Sequence, residues 1–164
     1  LKKLFEIYCN YCIEIKNTER TLQNLKIRRP VFPEIISEYI VLKFLQKYNT
    51  SQEQHCKNIL YIKDPSGDLL KIDNTLKIKI EIKCSSSKGP LSFGPTQKFD
   101  ELYCVDASDF LNDKIIIYKI NEPHKIKELY VNKFETFQQQ CEQKRRPRIS
   151  LQNILSNRKN KKKK

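Results

Sequence analysis

Asp68, Glu81 and Lys83 are the residues whose types and spacing can do chemistry. Glu81-Ile82-Lys83 ends a run in which Leu76, Ile78, Ile80 and Ile82 alternate with Lys77, Lys79, Glu81 and Lys83. Strict alternation is the period of a half-buried β-strand. Glu81 and Lys83 are therefore expected side by side on one face of an exposed strand edge, with Ile82 pointing into the core. Asp68 lies thirteen positions before Glu81. A short turn near Asp73-Asn74 would fold its strand back against the first and bring the two carboxylates close enough to share a divalent cation. Hard cations such as Mg²⁺ take carboxylate and carbonyl oxygens plus waters. Lys83 would lower the cost of generating hydroxide beside such an ion.

These residues sit in the stretch 67–97, which holds all three glycines of the chain, Gly67, Gly89 and Gly94. Glycine serves sharp turns and close approaches, so unusual backbone geometry is expected there. The elements that must position the chemistry follow from pattern. Residues 4–25 have a helical stripe, Leu4, Ile7, Tyr8, Tyr11, Cys12 and Ile15, read as a packing or dimerisation face. The two prolines of Arg28-Arg29-Pro30-Val31-Phe32-Pro33 break that helix. A second helix spans 33–48, with Pro33 in its first turn. At about 100° per residue, Ile35, Val41, Leu42 and Leu45 all fall near Glu38, which puts a carboxylate on an apolar face. Such a group needs a cation or donors, or a place at the edge of the stripe.

Strands are expected at 59–62, 68–72, 76–83, 103–105 and 114–120, the last a continuous apolar run suited to a buried position. The turn Asp64-Pro65-Ser66-Gly67 joins the first two. A loop occupies 84–95, a short helix carrying Gln97, Phe99, Asp100 and Leu102 starts at Pro95 or Thr96, and a polar helix covers 133–144. A short amphipathic segment, 151–155, follows Arg145-Arg146-Pro147-Arg148.

The arrangement resembles the PD-(D/E)XK nuclease superfamily, and within it a small type II restriction endonuclease. Gly67-Asp68-Leu69, Ile80-Glu81-Ile82-Lys83 and the loop SSSKGPLSFGPTQKFDELY (85–103) carry the resemblance, which spans about 33–120. Asp68 matches the first acidic position and Glu81-Ile82-Lys83 the E-x-K. The proline usual before the Asp is absent; the chain reads Asp64-Pro65-Ser66-Gly67-Asp68. The resemblance implies an α/β, restriction-endonuclease-like fold, with a central mixed β-sheet flanked by helices. It implies Mg²⁺ as cofactor, with Mn²⁺ able to substitute, held by Asp68, Glu81 and the Ile82 carbonyl. In many such enzymes an early helix adds an acid, for which Glu38 is the candidate and Glu34, one turn earlier, the second. Related nucleases also place a glutamine after the E-x-K strand, a position that Gln97 would fill; a capping or solvent-facing amide is the alternative.

Charge points the same way. The chain of 164 residues carries a net +13, and the tail at 158–164 supplies six of those charges. A basic body with a basic tail implies a polyanionic partner, nucleic acid ahead of a membrane surface. Ser85, Ser86, Lys88 and Ser92 can donate to phosphates or base edges. Arg145, Arg146 and Arg148 have the planar fork that suits phosphate and guanine, unless they form a solvated cluster.

Other chemistry finds no support. His55 and His124 stand in unrelated polar contexts, Ser85-Ser86-Ser87 has no nearby base, and no phosphate-binding glycine loop implies a nucleotide cofactor. No apolar run approaches a membrane span. Cys9-x-x-Cys12 lacks a second pair and reads as core thiols; six scattered cysteines fit a reduced, cytoplasmic setting. The absence of methionine reads as a chain that starts after the initiator or has been trimmed.

The sequence therefore reads as one nuclease domain at 1–157: a helical part at about 1–30, a catalytic core at about 33–120 and a C-terminal helical part at about 130–157. A disordered basic tail at 158–164 would follow. The expected function is Mg²⁺-dependent, sequence-specific cleavage of double-stranded DNA by a homodimer. A repair or junction-resolving nuclease on the same fold, and a non-catalytic DNA-binding module, are the rivals.

Overall fold

The computed structural model describes residues 1–22, 27, 31–51, 59–64, 68–87 and 89–156. Gly67, Lys88, His55, Cys56, the Arg28-Arg29-Pro30 break and the tail 158–164 lie outside the described residues. The architecture is α/β. Helices α1 (Lys2–Thr21) and α2 (Glu34–Ser51) precede strands β1 (Ile59–Lys63), β2 (Leu69–Asp73), β3 (Leu76–Ser85), β4 (Leu91–Ser92), β5 (Glu101–Asp109) and β6 (Lys114–Ile120). Helix α3 (Phe137–Glu142), strand β7 (Arg148–Ile149) and helix α4 (Leu151–Ser156) complete the chain.

Five strands form a mixed sheet in the order β1-β2-β3-β5-β6. Only β3 and β5 run parallel, and the other neighbours are antiparallel. Each face is covered. On one, Ile80, Ile82, Tyr103, Val105 and Ala107 pack against Tyr8 and Cys12 of α1 and Ile36, Val41 and Leu45 of α2. On the other, Leu102, Cys104 and Ile120 pack against Phe93, which follows β4, and against Ile126, Phe137, Ile149 and Ile154 from the C-terminal part of the chain.

The expected helices form for identifiable reasons. Tyr8, Cys12 and Ile15 are buried at helical spacing on α1, while Leu4, Ile7 and Tyr11 stay exposed. The stripe read as one face is thus split between the core and the surface. At the start of α2, the Pro33 carbonyl accepts from the N–H groups of Ile36 and Ser37. Asn74 takes the left-handed conformation in the tight β2–β3 turn, φ 55°.

Four expectations are corrected. β3 is the central strand of its sheet, not an exposed edge, and Glu81 and Ile82 are both buried. No helix starts at 95–96: residues 95–96 form a turn, and Leu102 lies inside β5, which spans Glu101–Asp109 rather than 103–105. Asp100 explains the early strand start. Its carboxylate accepts the Lys79 N–H at 2.8 Å and its own N–H reaches the Lys79 carbonyl, clamping the segment to β3. The polar helix expected at 133–144 spans only Phe137–Glu142, and it starts late because Thr136 and Gln139 form a reciprocal capping box there. Gly89 and Gly94 use no positive φ. A Cβ at Gly94 would stand 3.4 Å from Gln97 Oε1, an ordinary contact, so no close approach requires the glycine there.

Candidate active site

The β2–β3 hairpin builds the site. The ladder between these strands ends at Leu69↔Ile80, so Asp68 falls opposite Glu81. Beyond the ladder the Ile82 N–H has no β2 partner, and Asp68 Oδ2 accepts it at 2.6 Å. The N–H and C=O of one strand residue point the same way, so the Ile82 carbonyl also faces this gap. Asp68, Glu81 and Lys83 line one open cleft of about 540 Å³. Glu34 and Asp64 add carboxylates to its walls, and Lys79, Lys98 and Arg146 add cations.

Glu81 is 3% exposed, a severe burial for a carboxylate. Lys83 Nζ stands 2.5 Å from its Oε1 and 5.6 Å from the centre of the Phe93 ring. The contact with Oε1 is one of charge, not alignment: Oε1 is buried without a properly directed hydrogen-bond donor. Burial pushes the Glu81 carboxyl above its ordinary value, against the pull of the adjacent Lys83; the Gln97 amide also favours the charged form. Burial raises Asp68 too, opposed by the Ile82 N–H and by Lys83, while Glu38 and Glu34 raise it further. A buried and a half-buried carboxylate that both resist ionisation invite a cation between them.

The donor set fits a hard divalent ion. It comprises two carboxylates, a backbone carbonyl aimed at the same gap, and a buried Oε1 with a lone pair not engaged by an aligned donor. Among the described residues no group of three or more His, Cys, Asp or Glu side chains could hold a metal, so the carbonyl and waters must complete the shell.

The other expected residues divide. Gln97 reaches the site from a turn rather than a helix. Its Oε1 accepts the Gly94 N–H at 2.9 Å, and the side chain lies against Glu81. Glu38 is bound to Lys63 at 2.5 Å, whereas Glu34, the second candidate, lines the cleft itself. Arg146 lines the cleft, but Arg145 is engaged by Glu135 and Arg148 pairs with Ser92 in the β4–β7 ribbon. Ser85 and Ser86 border a different cleft, beside Tyr8 and Cys12 of α1, and the Ser85 hydroxyl donates to the Ser87 carbonyl at 2.5 Å.

Sequence reasoning passed over Asp64. It is 8% exposed, lines the cleft, and its N–H donates to the Asp68 carbonyl. Lys63 pairs with Leu69, so Asp64 and Asp68 come opposite each other just past the end of the ladder.

Comparison with curated proteins and with solved structures returns no match. A family profile described as Bsp6I restriction endonuclease matches residues 1–158. Among the described residues no helix is long and apolar enough to cross a membrane. A hairpin that closes two carboxylates and a lysine on one cleft, in a chain matched almost end to end, places this protein in the Bsp6I restriction endonuclease family, whose members are type II, site-specific deoxyribonucleases.

Proposed function

We propose that Asp68, Glu81 and Lys83 are the hydrolytic centre of this type II restriction enzyme, that Mg²⁺ is its working ion, with Mn²⁺ able to substitute, and that the sheet is a PD-(D/E)XK, restriction-endonuclease-like core. The observation that carries the reading is the Asp68–Ile82 hydrogen bond, which draws the first carboxylate onto the strand that bears the second. Asp68, Glu81 and the Ile82 carbonyl would hold the ion. When bound, a divalent ion supplies Lewis-acid stabilisation of the phosphoryl oxygens and lowers the pKa of the attacking water.

The chain's own groups do the rest. Lys83 Nζ, fixed between Glu81 and the Phe93 ring, presents N–H donors to the water and offsets negative charge growing on the phosphate. Gln97 steadies the ionised form of Glu81. Glu34, which lines the cleft, would orient a second water or ion, with Glu38, held by Lys63, adding negative charge behind it. Arg146 contacts a phosphate from the cleft wall, and the basic tail adds non-specific attraction. The duplex is met in the cytoplasm, and residues 1–157 act as one nuclease domain.

The working form is a homodimer. Antiparallel strands present equivalent scissile bonds to two sites related by a twofold axis, and twofold dimers are the commonest assemblies. Exposed Leu4, Ile7 and Tyr11 on α1 supply an apolar stripe for the shared surface.

Incubation of the protein with Mg²⁺ and plasmid DNA tests the reading. Discrete fragments are expected, and none from Glu81→Ala or Lys83→Ala proteins that fold and still bind DNA. Wild-type cleavage by either variant would remove these residues from the centre.

A further inference from the structure

Phe134 is 85% exposed, and Tyr130, on the same loop, is 63% exposed. A tied backbone cannot withdraw the ring from water, so the exposure of Phe134 is a fixed feature of the loop. This backbone is well tied. Tyr130 and Thr136 form an antiparallel bridge, and the Val131 N–H donates to the Glu135 carbonyl at 3.0 Å. Asn132 Oδ1 accepts from the N–H groups of both Phe134 and Glu135 at 2.8 Å. The feet of the loop, Val131 and Phe137, pack into the core beneath the sheet.

Glu135 anchors the loop to the chain that borders the catalytic cleft. Its carboxylate takes hydrogen bonds from Asn132 at 2.9 Å and Gln140 at 3.1 Å and pairs with Arg145. Gln140, Asn132 and Arg145 together hold it down to about 2, so the tie persists through the working pH range. Arg146, the next residue, lines the cleft. The aromatic tip therefore stands on a rigid stem that is joined through one ion pair to the cleft wall. Lys133, next to it in the chain, and Lys144 and Arg146, on either side of the Glu135-bound Arg145, are exposed cations.

We propose that Phe134 is a stacking wedge that enters the DNA duplex beside the catalytic cleft and packs on a base, while the neighbouring cations contact the phosphates. Charge decides between DNA and a second copy of the chain as the occupant. A self-contact at this tip would bring like charges together, whereas a duplex offers phosphates for the cations and π-faces for the ring. The wedge would help to position the scissile phosphate, and a distorted step gives sequence preference without a direct base contact.

The proposal rests on the DNA-cleaving reading, which wild-type cleavage of a plasmid tests separately. The chain has no tryptophan, so Phe134→Trp introduces a single reporter. Mixed with that plasmid in a chelator, so that the DNA stays intact, F134W should lose emission as the indole stacks on a base. Phe134→Ala should weaken binding by roughly 5- to 150-fold, the range of one lost base–aromatic stack. Its melting temperature should match wild type, because the side chain touches water. Phe134→Tyr, which keeps a ring, should restore affinity. Unchanged emission on DNA binding together with wild-type affinity of F134A would overturn the wedge. So would emission that changes with protein concentration in the absence of DNA, which would mark Phe134 as a contact between copies.

Discussion

Asp68 Oδ2 accepts the backbone N–H of Ile82 at 2.6 Å, so one carboxylate of the cleft is bonded to the strand that carries the other. This bond does two jobs that a substitution can separate. It completes the hydrogen bonding of β3 where the β2 ladder stops, and it keeps a negative charge beside Glu81. Asp68→Asn retains an oxygen that can accept from Ile82 while removing the charge. The expected outcome is a fold and DNA affinity close to wild type, with cleavage down by roughly 10²–10³-fold or more, the scale of one lost electrostatic contact at a reacting centre. Calorimetric titration with Mg²⁺ or Mn²⁺ should show weakened ion binding. Wild-type ion affinity in this variant would take Asp68 out of the site.

Stability and activity should run in opposite directions with pH. Burial raises both Asp68 and Glu81 above ordinary carboxylate values. Between the ordinary and the raised values, the folded chain keeps protons that the unfolded chain has released. Unfolding then releases protons, so this contribution to stability is fully present below the ordinary value and is lost as pH rises through the raised one. Ion binding and cleavage need the charged forms and should rise across the same window. The check is the difference in melting temperature between wild type and Glu81→Gln, measured against pH in a chelator. The glutamine variant should gain on wild type as pH rises, and added Mg²⁺ should restore wild type alone. A difference that is flat with pH would mean that Glu81 ionises as freely in the folded chain as in the unfolded one.

The route that brings Arg146 to the cleft holds a strained residue. Lys144 has φ 56°, and the turn after α3 closes with Arg145 N–H on the Gln140 carbonyl and Lys144 N–H on the Cys141 carbonyl. These two bonds are the Schellman ending of a helix, where glycine is the usual residue. A side chain in this conformation costs roughly 1–2 kcal/mol. Lys144→Gly should therefore raise unfolding stability by up to about 1 kcal/mol, once the greater freedom of glycine in the unfolded chain is counted. Chemical denaturation should show the gain as a higher midpoint at unchanged slope. A loss of stability would mean that the lysine side chain itself holds the turn.

What could be read in advance follows from the range of the interactions. The hairpin was legible because alternation over 76–83 and a turn at Asp73-Asn74 are local, and they fix which side chains share a face. The burial of Glu81 was not, because it depends on how the loop after β3 folds back, bringing Gln97 against Glu81 and Phe93 against Lys83. Gln97 was expected near Glu81, but on a helix. The clamp between Asp100 and Lys79, twenty-one residues apart, outweighs the helical pattern that the local residues suggest. Glu38 and Glu34 share one helix face, so periodicity could not separate them. The pairing of Lys63 with Glu38, set by β1 packing against α2, does.

The last prediction concerns the number of chains on the duplex. Of the α1 stripe, Tyr8, Cys12 and Ile15 face the core, which leaves Ile7 and Tyr11 at 56% and 55% exposure, free of any packing role inside their own chain. If they meet their counterparts across a twofold axis, a charge at either position desolvates an unpaired carboxylate twice in each dimer. Ile7→Glu and Tyr11→Glu should leave the melting temperature of the chain nearly unchanged, because neither side chain is buried. Sedimentation on a short duplex containing the cleavage site should show two chains for wild type and one for the variants. The variants should nick plasmid DNA in place of linearising it, since a single site reaches only one strand. Wild type sedimenting as one chain per duplex while still cutting both strands would rule out the dimer. Two chains per duplex in both variants would retain it and move its surface off α1.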